Sequence, residues 1–313
     1  MSFTVVVPCS TSNLGAGFDA LGIALGGPDL IVRVTPGGSG LRIARLSGAG
    51  ADSLPRDNSN RIIEAAFAAA RLGGRDPESL SAELEVHSAI PLRRGLGSSA
   101  AAALAGALVA DALSGGALGE PRVLAAAVAL EGHPDNVVPS LRGGAQVALL
   151  DAAGAVRSCE VRIGTALKAA LFIPDVELST REARAVLPTS VPFADAVHNL
   201  ARSALFVAAL SQGRIELFAE AMDDRLHQPA RATLIPWLPE LIAEARSAGA
   251  YGAALSGAGT TVVALCGPDA VKRVAQRMGE RAAKLGLAGK SEVVDVGVPG
   301  ARVQQGTAHA GAA

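Results

Sequence analysis

Between Pro91 and Leu113 the chain reads Pro-Leu-Arg-Arg-Gly-Leu-Gly-Ser-Ser, then a run of small apolar residues interrupted only by Asp111. Glycines at 95 and 97 let backbone N–H groups turn inward. The helix start that follows adds unpaired donors and the positive end of a dipole. Ser98 and Ser99 stand where a hydroxyl caps a helix or offers oxygen to a magnesium ion. Such a turn is how a chain builds a phosphate cradle, and it points to an enzyme handling a phosphorylated cofactor. Read alone, Gly-Leu-Gly also describes an ordinary tight turn before an apolar helix.

Spelling separates this loop from two other phosphate cradles. The Gly289-Lys290-Ser291 triplet has Lys284 where a P-loop needs its first glycine, and Gly95-Leu96-Gly97 lacks the third glycine of a dinucleotide fingerprint. The 313 residues suffice for one large or two medium domains. Half are hydrophobic and 18% charged, with a net charge of −1, which implies a well-buried core and no nucleic-acid partner. The start lacks the basic region and apolar core of a secretory signal, and the apolar run at 99–113 is too short for a membrane helix. Cys9, Cys159 and Cys266 are too scattered for a disulfide framework or a zinc pattern, and each is expected reduced, in the core or near a site. A soluble, cytoplasmic protein without a membrane partner follows.

Strands are expected at Phe3–Val7, Leu30–Val34, Leu41–Ala44 and 81–88, with a helix over Asn60–Leu72 capped by Asn58 or Ser59. The glycine loop then opens a helix over Ser98–Leu113, stopped by Ser114-Gly115-Gly116, and Pro121 suits the first position of a helix running to Glu131. Strands at Ala145–Leu150, Val156–Val161 and Leu171–Ile173 precede helices at 180–187, 193–211, 214–222 and 237–248. A strand–turn–strand (251–256, 260–266), a helix (268–285) and a strand at Glu292–Val296 close the chain, and the tail 300–313 is expected to fray. Hairpin-clustered strands passing to helices argue α+β. A boundary in 151–168 divides the chain into 1–160 and 161–313.

Two further glycine loops accompany the first. Pro8-Cys9-Ser10-Thr11-Ser12-Asn13-Leu14-Gly15-Ala16-Gly17-Phe18-Asp19 follows a strand, and its Asn13 and Asp19 suit a local turn or, with the two glycines, a polar ligand. Leu255-Ser256-Gly257-Ala258-Gly259-Thr260-Thr261 lies between apolar strands, as a hairpin or as a second source of N–H groups for a phosphate.

Together and in this order, the three loops resemble those of the GHMP kinases, named for galactokinase, homoserine kinase, mevalonate kinase and phosphomevalonate kinase. Asn13–Gly22, Glu131-Gly132-His133-Pro134-Asp135-Asn136-Val137, Ser179-Thr180-x-x-Ala183-Arg184-x-x-Leu187-Pro188 and His227-Gln228-Pro229-x-Arg231 are most similar to the branch that phosphorylates homoserine. Two departures stand out: Ser10-Thr11 reverses the branch's usual order of hydroxyl residues, and Thr260 replaces a proline.

The resemblance implies a two-domain fold, N-terminal ribosomal protein S5 domain 2-like and C-terminal ferredoxin-like, with the site between the domains. It implies ATP and Mg²⁺ as cofactors, homoserine as acceptor, and a homodimer as a common assembly. ATP would be held by Pro91, Leu92, Arg93, Arg94, Gly95, Leu96, Gly97, Ser98, Ser99, Ala100 and Ala101, with Gly257, Gly259 and, beside the adenine, Asn60. Ser98 and Glu131 would hold Mg²⁺. Asn13, Asp19, His133, Asn136, Arg184 and Arg231 would bind homoserine, the arginines taking its carboxylate and Asp19 its ammonium. Asn136 would orient the attacking hydroxyl, Asp135 is the alternative base, and His227 reads as a buried hydrogen-bonding histidine. A kinase for another small alcohol or sugar, or a catalytically silent binding protein of the same fold, are the competing readings.

Overall fold

Two long strands open the chain, β1 (Phe3–Asn13) and β2 (Gly17–Pro36), paired antiparallel about a short turn. The computed structural model describes residues 1–306. The strand expected at Phe3–Val7 thus continues through Ser10-Thr11-Ser12-Asn13, which composition marks as loop. Those side chains are buried but bonded to Asn136, Ser256 and Gly257, so strand geometry leaves none of them unsatisfied.

β3 (Leu41–Gly48), α1 (Arg61–Leu72) and β4 (Ala82–Ser88) follow. Asn60 caps α1, its Oδ1 accepting from the Ile62 N–H at 3.0 Å. The expected cap Ser59 is engaged by the Asp57 carboxylate instead, at 2.6 Å. Next come α2 (Ser98–Leu113), α3 (Gly119–Glu131) and α4 (Val137–Arg142). Apolar on nearly all sides, α2 is buried among α1, α3 and β1. Gly106 permits the contact with α1, because a Cβ there would lie 2.0 Å from the Ile62 carbonyl oxygen. Pro121 is the third residue of α3 rather than the first. The Asp111 carboxylate accepts from the Leu118 and Gly119 N–H groups and starts the helix earlier.

The chain continues as β5 (Ala145–Leu150), β6 (Val156–Val161), β7 (Lys168–Pro174), α5 (Thr180–Ala185) and α6 (Phe193–Gln212). Over 214–222, expected as one helix, it makes a 3-10 turn at Ile215–Leu217 and the single-turn α7 (Phe218–Ala221), whose Phe218 is pinned between Phe206 and Tyr251. Then follow α8 (Gln228–Arg231), α9 (Leu238–Ser247), β8 (Gly252–Leu255), β9 (Val262–Cys266), α10 (Val271–Lys284), β10 (Gly289–Val296) and β11 (Arg302–Gln305).

One sheet runs β11-β1-β2-β10-β7-β9-β8, with β4 and β5 pairing to other stretches of β2. The length of β2 allows this: Leu30–Pro36 pairs with β4, Leu21–Ile23 with β5, and Leu25–Gly26 with β10. Among the described residues only β3 and β4 pair in parallel. With helices packed on this mostly antiparallel sheet, the architecture is α+β. β7 serves two cores by period-2 alternation, sending Ala169, Leu171 and Ile173 to the large one and Ala170 and Phe172 to the one under α9 and α10. The expected fraying of 300–313 fails at its beginning, since Arg302–Gln305 pairs with Phe3–Val6 as an edge strand, and 307–313 lie outside the described residues. Cys9 and Cys266 are buried, and burial pushes each thiol up to about 12. Cys159, also expected inside or near a site, is exposed on β6, where outward residues alternate with half-buried ones.

Candidate active site

All three glycine loops meet at the N-terminus of α2. The Ser256 hydroxyl donates to the Gly95 carbonyl at 2.7 Å, the Thr261 N–H to the Arg94 carbonyl at 3.1 Å, and the Gly257 N–H to the Ser12 carbonyl at 3.1 Å. This closeness requires glycine at 95 and 97. Both have left-handed backbones, and a Cβ would lie 2.0 Å from the Ser256 carbonyl oxygen at 95 and 2.4 Å from the Ser10 hydroxyl at 97. No side chain caps α2 among the described residues, so its first N–H groups remain open to an anion.

A cavity of about 110 Å³ opens beside that helix end, lined from every loop: Asn13 and Asp19, Gly95 to Ala100 except Leu96, Glu131 to Asn136 in part, Arg184, Arg231, and Gly257 to Gly259. A second cavity of about 680 Å³ adjoins it and shares Arg93, Ser98, Ser99 and Thr180. Its wall is more apolar, with Leu46, Leu54, Pro55, Ile62, Val86 and Leu92.

In the small cavity the charges are arranged in pairs. Arg184 donates twice to the Asp19 carboxylate, at 2.7 and 3.0 Å. Asp19 has a left-handed backbone (φ 55°), which Asp tolerates better than most residues, and its N–H donates to Asn13 Oδ1 at 2.9 Å. Arg231 is 1% exposed. Its Nη1 donates to the Gly257 carbonyl at 2.9 Å and toward His227 Nδ1 at 3.2 Å, its Nε to the Ala183 carbonyl, and Nη2 has no hydrogen-bond partner among the described residues. Burial, and then the charge of Arg184, lower its pKa to about 10, so the guanidinium stays charged at neutral pH. Phe18 separates the two arginines, with guanidinium carbons 5.6 and 5.2 Å from its ring centre, and it stacks on His227 at 5.0 Å.

Asn136 lies just before α4 with its amide engaged at both ends. Oδ1 accepts from the Ser10 hydroxyl at 3.0 Å, and Nδ2 donates to the Ser12 hydroxyl at 2.8 Å. One N–H and one lone pair remain for a ligand. Beside it, His133 Nδ1 and Asp135 Oδ1 are 2.5 Å apart. Burial alone would push the imidazolium down, but the hydrogen bond and charge of Asp135, with Asp19 nearby, hold His133 above the ordinary histidine value. Glu131, at the end of α3, accepts from the Ser99 hydroxyl at 2.6 Å and lies 3.8 Å from Arg61 Nε. Ser99, rather than Ser98, is therefore the hydroxyl in contact with this carboxylate.

Several expected residues have their polar groups committed within the fold. Arg94 turns from the cavity to the end of β7, donating to the carbonyls of Pro174 at 2.6 Å and Asp175 at 2.8 Å. Arg93, by contrast, lines both cavities with its side chain largely exposed, and its Nη1 lies 3.7 Å from Glu177. Leu96 and Ala101 are buried in the core. Pro91 lines neither cavity, and Leu92 lines only the larger one. Asn60 lines the larger cavity, yet its amide already caps α1 and donates to the Pro55 carbonyl at 2.7 Å. Asn13 Nδ2 donates to the Gly257 carbonyl at 2.8 Å, which ties the first loop to the third.

Asp224, and the part that Ser10 and Ser12 play in holding Asn136, are not announced by the sequence. The buried Asp224 carboxylate accepts from Asn199 Nδ2 on α6 at 2.7 Å, and from the N–H groups of Leu226, His227 and Gln228 at 3.0, 3.1 and 2.6 Å. It thus ties down the turn that leads through α8 to Arg231. His227 donates from Nε2 to the Gly15 carbonyl at 2.9 Å, which leaves Nδ1 as acceptor for Arg231. Burial lowers its pKa to about 4, so it is neutral in this tautomer at pH 7. An aspartate three residues before the histidine of His-Gln-Pro is the available sequence signal, and it is a weak one.

Comparison with known proteins agrees with this geometry. Residues 60–144 match the GHMP kinases N terminal domain and residues 206–284 the GHMP kinases C terminal domain. The homoserine kinase of Desulfitobacterium hafniense is 40% identical over 299 residues, covering 96% of this chain and 99% of the relative. That of Deinococcus radiodurans is 44% identical over 264 residues, 83% of either chain. The crystal structure of homoserine kinase from Cytophaga hutchinsonii superposes with a TM-score of 0.86 at 28% identity, covering 96% of this chain and 97% of that one. L. major mevalonate kinase shares the fold at a TM-score of 0.71 and 16% identity, over 94% and 95% of the two chains. The match of both GHMP kinase domains and near full-length similarity to homoserine kinases, in a chain whose uncapped helix start adjoins a cavity of acids and arginines, establish that the chain belongs to the GHMP kinase family and, within it, to the homoserine kinases.

Proposed function

We propose that this chain transfers the γ-phosphoryl group of ATP to the side-chain hydroxyl of L-homoserine, forming O-phospho-L-homoserine and ADP in threonine biosynthesis. The observation that carries the substrate assignment is the meeting of Asp19, Arg184 and Arg231 in one small cavity next to the α2 N-terminus. An uncharged sugar or alcohol has no use for that set. A zwitterionic amino acid can enter the Asp19–Arg184 pair, offering its ammonium to Asp19 and its carboxylate to Arg184 and to the unpartnered Nη2 of Arg231.

ATP is the family's phosphoryl donor. In this reading its base and ribose occupy the larger, more apolar cavity, and its phosphates cross Ser98 and Ser99 toward the smaller one. Ser98, Ser99 and Glu131 make an oxygen donor set suited to Mg²⁺, which would neutralise phosphate charge as the reaction proceeds. The γ-phosphorus forms a bond to the homoserine oxygen as its bond to the β–γ bridging oxygen breaks. Asn136, held by Ser10 and Ser12, orients that hydroxyl. Alignment carries most of the catalysis, since the phosphoryl transition state is loose and demands little proton removal beforehand. The hydroxyl proton leaves as the new P–O bond forms, onto an oxygen of the transferred phosphoryl group or, as the alternative acceptor, onto Asp135, whose bond to His133 fixes it beside Asn136. No helix among the described residues is long and apolar enough to cross a membrane, and a cytoplasmic location agrees with this chemistry.

The test is ADP release with MgATP against homoserine, serine, threonine, mevalonate, shikimate and galactose. Turnover with homoserine alone is the expected result. Turnover with a different acceptor would keep the ATP site and discard the substrate residues.

A further inference from the structure

The first residue of α1 is an arginine, and the helix has no local use for it. A cation at a helix N-terminus faces the positive end of the dipole, where acids are favoured. Arg61 nevertheless stands there, directly after the cap Asn60, with its side chain 40% exposed. Of its five N–H donors only one on Nη1 has a hydrogen-bond partner among the described residues, the Glu64 carboxylate at 3.4 Å. Its Nε lies 3.8 Å from Glu131 Oε1, too far for a hydrogen bond but close enough for the charges to attract. The guanidinium is thus held between two carboxylates with most of its donors unused.

Position gives those donors a direction. Arg61 lines the larger cavity together with Ser98 and Ser99, the residues at the start of α2 that both cavities share. The Glu131 oxygen it faces is the one that accepts from the Ser99 hydroxyl at 2.6 Å. A triphosphate crossing Ser98 and Ser99 is a polyanion, and the larger cavity offers it two cations among the described residues, Arg61 and Arg93. Arg93 has a side chain 66% exposed and shared with Glu177, while Arg94 is bound to the carbonyls of Pro174 and Asp175. Arg61 is therefore the more enclosed of the two available cations, and its charge is the less screened by water.

Building on the ATP reading above, we propose that Arg61 is a phosphate-binding residue. It donates its free N–H groups to the triphosphate, and in doing so withdraws its charge from Glu131, which then stands free for a magnesium ion. A guanidinium suits this task because its fork meets two phosphate oxygens at once. The same contact explains why an arginine occupies a helix position that disfavours it: a residue that breaks a local rule is the mark of a site.

The test is binding of a fluorescent ATP analogue to the full chain in the presence of Mg²⁺, with adenosine as a competitor that lacks phosphates. Arg61→Leu should raise the dissociation constant of the analogue about tenfold or more, the worth of one charge-assisted hydrogen bond, and change that of adenosine less than about twofold. Arg61→Lys, which keeps the charge but not the fork, should lose less. Glu64→Gln removes the hydrogen-bond partner of Arg61 within the chain and should bind the analogue as tightly as the parent. An Arg61→Leu variant that binds the analogue like the parent would overturn the proposal. So would equal losses for the analogue and adenosine, which would mark a structural role, or a Glu64→Gln variant that reproduces the loss. A parent chain that fails to bind the analogue would overturn the ATP reading itself, so the two failures are told apart.

Discussion

Asp224→Asn changes one buried atom and tests whether the turn before Arg231 is held by that carboxylate. Oδ1 of Asp224 serves Asn199 Nδ2 and the Leu226 N–H, and Oδ2 serves the N–H groups of His227 and Gln228. An asparagine offers one oxygen and one NH₂ group, so in either orientation two donors lose their acceptor and face a third donor. Each buried donor left unsatisfied costs about 1–3 kcal/mol, which puts the whole change near ~3 kcal/mol. At roughly 2–4 °C per kcal/mol for a chain of this size, the melting temperature should fall by about 10 °C. The functional consequence follows from geometry. His227 and Arg231 both depend on that turn, and the arginine reaches the cavity through bonds to His227 and Gly257. If Arg231 binds the substrate carboxylate throughout the reaction, displacing it should raise KM for homoserine about tenfold and change kcat less. The assays are thermal unfolding and steady-state ADP release at saturating ATP. A melting temperature within 2 °C of the parent together with an unchanged KM for homoserine would refute the reasoning.

Two further outcomes are expected. Asn136→Ala should lower kcat by about a hundredfold or more while nucleotide binding, followed by fluorescence of an ATP analogue, is retained, because positioning of the attacking hydroxyl is lost and the phosphate loop is untouched. His227, with its pKa lowered by burial from 6.5 to about 4, binds its proton more readily in the unfolded chain. Stability should therefore decline as pH falls from about 6.5 toward 4, and His227→Gln should flatten that part of the stability–pH curve measured by denaturant titration.

Much of this molecule is legible along the chain. The bounds of α2, β5 and β6 follow from the apolar runs and the glycine stops, because local periodicity and turn chemistry act within a few residues. The uncapped start of α2 is legible for the same reason, since glycines and a helix start at short spacing leave N–H groups open to an anion almost without help from the rest of the fold.

Other features depend on partners far away in sequence. Ser10 to Asn13 form strand rather than loop because Asn136, Ser256 and Gly257 arrive to bond them, and no local rule announces those partners. Arg94 carries the charge expected of a phosphate ligand, yet the carbonyls of Pro174 and Asp175 capture it. Ser99 meets Glu131 only because α3 returns alongside α2. The edge strand at Arg302–Gln305 has a composition that suggests fraying, and it is ordered by the unpaired edge of β1. The sequence alone determined which chemistry the chain can host, because residue types and short spacings set donors, charges and turns. The tertiary structure decided which of those groups face the cavity and which are consumed in holding it together, because a buried polar group bonds to whatever the fold places within 3 Å of it.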